Sequence, residues 1–221
     1  MSCDKKIENI KAVIFDLDGT LIDTEKIYGI IWPKAINDMG YEMKREMYLS
    51  LRSLGRPFAP AKMKEWFGEN FDYDGARKIR KSYFDAYVKE HGIERKPGAI
   101  ELLSFLHEKN IVTAIATATD PQRANEYLKM TGLDGYFDQV ISATMVKEGK
   151  PSPFVYQYAC ETLGFRPSEC VAVEDAPNGI MAAYKAGCHV FMVPDQTGPD
   201  EDIEPMLYAC VERLDDMIRF F

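Results

Sequence analysis

Asp16 and Asp18, two residues apart in "FDLDGT", follow directly on the apolar run "AVI" and are followed at once by a glycine. Alone, a D-x-D pair is a weak signal, because solvated turns and calcium loops also contain it. Its weight grows with what closes the other apolar runs. "VTAIA" ends on Thr117 and Ala118, "VAV" ends on Glu174 and Asp175, and "QVISA" leads through "TMVKEGKPSP" to Lys150. Together these supply four carboxylates, a hydroxyl and an ammonium. Uncompensated carboxylates repel: two unit charges about 4 Å apart interact by about 4 kcal/mol at an effective dielectric near 20. A hard divalent cation removes that cost, and oxygen-only ligands without His or Cys favour Mg²⁺. One carboxylate can then attack phosphorus as a covalent nucleophile. A second can serve as acid toward the leaving oxygen and afterwards as base toward water. The Thr117 hydroxyl and the amides before the next helix are suited to hold phosphoryl oxygens, and Lys150 supplies positive charge.

The elements that must position these groups read as alternating strands and helices. Candidate strands cover 11–15, 111–117, 139–143, 170–174 and 189–193. Amphipathic stretches at 98–110, 121–132, 153–164 and 177–187 separate the later ones, several with a proline near the start and a glycine at the end. This order predicts an α/β fold, a Rossmann-like doubly wound parallel sheet, whose ligands bind beyond the carboxyl ends of the strands. Residues 23–96 differ: they are rich in charge, Tyr and Met and show no strand pattern. The expected organisation is a core built from 1–22 and 97–221 with a helical insert, 23–96, placed after the first strand. Pro33 falls inside a helical pattern and is expected to kink or restart it.

Within the insert the signals are weaker. Arg52 and Arg56 in "LRSLGRPFAP" flank a glycine, so Arg56 is a candidate on a loop facing the site, and a solvated helix-end arginine is an equal reading. Glu25 is a candidate substrate contact. "ARKIRK" at 76–81 reads as a wet helix face, and Tyr28, Trp32, Trp66, Phe67, Tyr83, Phe84 and Tyr87 read as core of the insert. His91, His107 and His189 have no metal-ligand spacing.

Composition narrows the class. The 221 residues carry a formal net charge of -8, which argues against nucleic-acid binding and leaves any attraction of an anionic substrate to local charge. Five cysteines at irregular spacing argue against a disulfide framework or a zinc site. The N-terminus is polar and no apolar run approaches the ~20 residues of a membrane span. A cytoplasmic monomer with no membrane partner is expected.

"DLDGT", "TAT", "KPSP" and "VAVEDAPNGIMAAYKAG" together resemble the haloacid dehalogenase superfamily, in the branch of β-phosphoglucomutase and small sugar- or nucleotide-phosphate phosphatases. The resemblance implies Asp16 as nucleophile and Asp18 as acid/base. It implies Thr117, Ala118 and Lys150 around the phosphoryl group. It further implies a Mg²⁺ held by Asp16, the main-chain carbonyl of Asp18, Asp175 and, in some members, Glu174. The insert would be a helical cap, with Arg56 against a distal phosphate. A phosphatase acting on a small phosphorylated metabolite through an aspartyl phosphate is therefore expected. A phosphohexomutase is the nearest alternative; such enzymes resemble this chain but usually carry a His where Tyr28 stands, and Tyr, with a reference pKa of ~10, is a poor proton shuttle. A non-enzymatic phospho-acceptor or binding protein is the second alternative, and Asp18, two residues after the acceptor, argues for turnover.

Overall fold

The computed structural model describes residues 6–221. Six strands form one parallel sheet in the order β3-β2-β1-β4-β5-β6: β1 Ala12–Phe15, β2 Val112–Thr117, β3 Gln139–Ser142, β4 Cys170–Glu174, β5 His189–Met192 and β6 Ala209–Cys210. The first five match the expected runs to within a residue at either end. β6, two residues long, has no run of its own in the sequence and exists because Phe191 and Met192 offer a free edge for pairing.

Alternation along the strands builds two cores. Val13, Phe15, Ile115, Val171, Val173 and Phe191 face one layer, with α5 (Ala99–Glu108) and α6 (Pro121–Thr131) packed on it. Ala12, Ile14, Ala114, Ala116, Ala172 and Val190 face the other, under α7 (Phe154–Leu163) and α8 (Pro177–Ala186). The sheet is covered on both faces, which is why its strands read as continuous apolar runs rather than alternating ones. Asp120 caps α6, accepting from the Arg123 amide at 3.1 Å, with Pro121 in the first turn and Gly132 in the left-handed conformation at the end.

Between β1 and α5 the chain is helical: α1 Glu25–Asp38, α2 Arg45–Leu51, α3 Phe58–Phe67 and α4 Tyr73–His91. Of the two outcomes expected at Pro33, a kink or a restart, the restart does not occur: α1 runs through the proline as one helix. The proline forgoes one hydrogen bond, but Ile27, Tyr28, Ile31, Trp32, Ala35 and Ile36 bury one face of the helix and outweigh that loss. Tyr28, Trp32 and Phe84 are buried in the same continuous core as Phe15 and Leu17, while Trp66, Phe67, Tyr83 and Tyr87 pack partly buried against it. Cys160, Cys170, Cys188 and Cys210 are free. No described helix is long and apolar enough to cross a membrane.

Candidate active site

Pairing in register brings the carboxyl ends of β1, β2 and β4 to one rim. Asp16 follows Phe15, Thr117 ends β2, and Glu174 ends β4 with Asp175 beyond it. Asp16, Thr117, Lys150, Glu174 and Asp175 are all buried there. Lys150 Nζ donates to Asp16 Oδ1 and, at 2.6 Å, to Glu174 Oε1. Tyr156, on α7, donates to the same Glu174 oxygen at 2.5 Å. Burial depresses the ionised form of Lys150, but Asp16 and Glu174 more than reverse this and hold its pKa above the ordinary value. It is an ammonium at every physiological pH.

Burial pushes the pKa of Asp16 well above its usual range; Lys150 opposes this, and Glu174 and Asp18 add repulsion. Asp175 is pushed up likewise, by burial and then by Glu25, Asp16 and Glu174, against the pull of Arg52. If all were ionised, Asp16, Asp18, Glu174 and Asp175 would carry two negative charges more than Lys150 and Arg52 balance. The other oxygens of the two lysine-bound carboxylates, Asp16 Oδ2 and Glu174 Oε2, are buried without a hydrogen-bond partner among the described residues. Buried carboxylate oxygens are ordinarily satisfied. Asp16, Glu174 and Asp175 each offer a ligand atom, all within 4.8 Å of one another, close to the span of roughly 4 Å across an octahedral Mg²⁺ shell. The donor chemistry, the charge surplus and the two orphaned oxygens all fit a divalent cation.

Gly19 sits at φ 85, and a Cβ there would lie 2.6 Å from Asp175 Oδ2. The glycine after the D-x-D pair therefore serves both a left-handed turn and the approach of Asp175. Asp18 accepts from Thr24 Oγ1 on one oxygen and from Thr119 Oγ1 on the other, both at 2.7 Å. Thr24 is the N-cap residue of α1 yet makes no side-chain capping bond, since its hydroxyl is committed to Asp18. Thr117 Oγ1 accepts from the Thr119 amide at 3.0 Å, which leaves its own proton free to donate. Ala118 lines the cavity beside it.

The arginines depart from expectation. Arg52, not Arg56, is buried at the site: it pairs with Asp175 at 3.4 Å and donates to Thr197 Oγ1 at 2.5 Å. Arg56 is half exposed, pairs with Asp74 and lies over the Tyr73 ring, and it is not among the cavity's lining residues. The proline after Arg56 and the nearby Asp74 carboxylate turn its side chain outward. Glu25 is buried, accepts from Tyr48 and has its pKa pushed up to about 8, chiefly by burial. The 76–81 run is solvated at Lys78 and Lys81, which are exposed, and it also borders a cavity of about 540 Å³, lined in part by Arg77, Lys78, Arg80 and Lys81, that opens over Asp16 and Asp18. Sequence reasoning missed Thr119, Tyr156 and this basic wall. Only Thr119 carried a signal, as the second threonine of "TAT".

The family model for haloacid dehalogenase-like hydrolases matches residues 10–187. Hexitol phosphatase A of Escherichia coli K12 is 31% identical over 201 residues, covering 90% of this chain and 91% of its own. β-Phosphoglucomutase of Bacillus subtilis is 28% identical over 184 residues, 80% of each chain. The crystal structure of CbbY from Rhodobacter sphaeroides in complex with phosphate superposes with a TM-score of 0.80 at 25% identity, covering 94% of this chain and 96% of that one. The chain belongs to the haloacid dehalogenase-like hydrolases, in the branch that includes sugar phosphatases and β-phosphoglucomutase. It is a phosphatase of that family.

Proposed function

We propose that this protein is a Mg²⁺-dependent phosphatase that hydrolyses a small phosphorylated metabolite, a sugar or nucleotide monophosphate, through an aspartyl phosphate on Asp16. The observation that carries the reading is the division of labour between the two aspartates. Asp16 Oδ1 is held by Lys150 while its Oδ2 has no partner. Asp18 is held by two hydroxyls that can release it to take or give a proton.

Asp16, Asp175, Glu174 and the Asp18 carbonyl would hold the cation, which supplies charge neutralisation for the phosphoryl group when bound. The Asp16 carboxylate attacks phosphorus, and Asp18 protonates the departing alkoxide. Thr117 and Lys150 hold phosphoryl oxygens as charge builds on them. Asp18, now a carboxylate, takes a proton from the water that attacks the aspartyl phosphate and releases inorganic phosphate. Tyr28 supports hydrolysis over isomerisation: burial and the nearby Asp18 raise its pKa to about 12, so it cannot shuttle protons as a mutase's residue must.

After exhaustive chelation the protein should be inactive toward a panel of phosphorylated sugars and nucleotides and should recover with Mg²⁺. Full activity without a divalent ion would refute the metal assignment. With β-glucose 1-phosphate and a trace of its bisphosphate, free phosphate should be the product. Glucose 6-phosphate well in excess of phosphate would establish the mutase instead.

We further propose that residues 23–96 act as a cap whose docking helps to position Lys150. The Gly55 amide donates to the Lys150 carbonyl at 2.9 Å, and the Gly149 amide donates to the Arg56 carbonyl at 2.7 Å. A Cβ on Gly55 would lie 2.7 Å from Gly149 Cα, so the two backbones meet only because both residues are glycines. Gly55→Ala should force them apart and lower kcat/KM by on the order of 10²-fold, the scale of a small misplacement of reacting groups. The melting temperature should move little. An unchanged kcat/KM would show that this contact plays no part in turnover.

A further inference from the structure

Glu174 Oε1 receives two hydrogen bonds, from Lys150 at 2.6 Å and from the Tyr156 hydroxyl at 2.5 Å, whereas Oε2 has no partner among the described residues. Lys150 serves the reaction through its second bond, to Asp16. Tyr156 touches neither the cavity nor the reacting atoms. It is fully buried on α7, where a phenylalanine would fill the same space. The one atom that distinguishes it from phenylalanine is spent on Glu174, and a buried hydroxyl is costly unless it is bonded. Burial and the neighbouring Glu174 push the pKa of Tyr156 well above its ordinary value, so the phenol keeps its proton and donates. Its ring lies 5.3 Å from Lys150 Nζ, so this side chain touches both members of the Lys150–Glu174 pair. The carboxylate is confined from the other side as well. A Cβ on Gly179 would lie 2.1 Å from Glu174 Cδ, so the group rests against the first turn of α8 and has no room to swing. The freedom left to it is rotation about its terminal bond, a soft twofold torsion that exchanges the two oxygens.

We propose that Tyr156 is a positioning residue for the cation: by fixing Oε1 of Glu174 beside Lys150, it keeps Oε2 free as a metal ligand. The proposal rests on the metal-dependent reading above. A carboxylate oxygen offers two lone pairs, and on Oε1 the ammonium and the phenol take both. Neither donor then has reason to reach for Oε2. Without the hydroxyl, Lys150 is the one donor left to Glu174. Its ammonium is a compact charge with three donors and no preferred plane, so it follows whichever oxygen turns toward it. The lysine then competes with the cation for Oε2. Partners that hold a ligating carboxylate from behind act on metal affinity in this way, and losing one typically costs about 10–100-fold in affinity or activity.

The test is calorimetric titration of the metal-free protein with Mg²⁺, in the absence of substrate, for the wild type, Tyr156→Phe, Glu174→Ala and the double variant. Tyr156→Phe removes one oxygen and keeps the ring, and its Kd for Mg²⁺ should rise by about 10–100-fold. The rise in melting temperature produced by a fixed Mg²⁺ concentration should shrink accordingly. Activity lost at low Mg²⁺ should return as the ion is raised, so the variant moves the Mg²⁺ activation constant more than kcat. In the Glu174→Ala background the same substitution should change the Kd no further, because its effect travels through Glu174. A merely structural tyrosine would lower the melting temperature of the metal-free protein and leave the Mg²⁺ Kd where it was, which would overturn the proposal. Equal losses of affinity with and without Glu174 would overturn it too. A wild type that binds no Mg²⁺ would reject the metal reading and the proposal together, whereas wild-type binding with an unchanged Kd in Tyr156→Phe would reject the proposal alone.

Discussion

Asp16→Asn should abolish turnover while leaving a folded protein that still binds its substrate. An amide lacks the nucleophilic oxygen, and loss of a covalent nucleophile lowers kcat by on the order of 10⁶-fold. The fold should survive for reasons visible around the residue. Removing one member of a buried ion pair is damaging when it strands the other charge. Lys150, however, keeps Glu174 at 2.6 Å, and the asparagine carbonyl can still accept from it. The substitution also removes one carboxylate from a cluster in which burial and mutual repulsion already disfavour the ionised forms. The melting temperature of the metal-free protein should therefore hold or rise. A variant that retains more than a few per cent of kcat would show that Asp16 is not the attacking group, and one that unfolds would show that its carboxylate is needed for the fold.

Asp18→Asn carries the second-largest effect and a more specific signature. Loss of a general acid–base typically costs ~10²–10⁴-fold. Both hydroxyls that hold Asp18 can also accept, so Thr24 and Thr119 can hold the asparagine amide in the same place. With an alkyl phosphate both half-reactions should slow, since the same group serves as acid in the first and base in the second. With a leaving group of low pKa, such as p-nitrophenolate, the first step needs no proton. A stoichiometric burst of p-nitrophenolate should then precede a steady state limited by hydrolysis of the phosphoenzyme. The measurement is stopped-flow absorbance at enzyme concentrations near that of the substrate. Fast steady turnover without a burst would assign Asp18 to the first step alone, and slow steady release without a burst would assign it to positioning.

β1, β2, β4 and β5 were legible because they are buried on both faces, so each stands out as a short apolar run between helix signals, whereas the two-residue edge strand β6 has no such run. The catalytic rim was legible for the same reason: in a parallel sheet, whatever follows a strand lies at one edge, and Asp16, Thr117 and Glu174 do so directly. Lys150 sits outside any strand, yet its chemistry needs no neighbour in sequence, only a loop that returns to the rim. What escaped notice depends on direction rather than on residue type. Arg52 and Arg56 stand on either side of the same turn, and nothing in "LRSLGRP" says which one points inward. The run 76–81 has the composition of a solvated face, and it faces a cavity only because α4 packs against α1 and so lies across the opening. Tyr156 is one aromatic among several on an amphipathic helix, and its hydroxyl finds Glu174 through the packing of α7 against the sheet. At Pro33 the helix does not restart because six buried apolar residues anchor α1 on both sides of the proline, which local propensity alone does not weigh.

The central claim is a covalent phosphoryl group on Asp16, and chemical trapping of that intermediate tests it most directly. An acyl phosphate is reduced by borohydride to the alcohol, which converts the aspartate to homoserine. Protein quenched with borohydride during turnover, then digested and sequenced by mass spectrometry, should contain homoserine at position 16 and aspartate at position 18. The yield should rise in Asp18→Asn, where the intermediate accumulates with a good leaving group. Homoserine at any other acidic position, or aspartate at position 16 in that variant while its burst is in progress, would contradict the account.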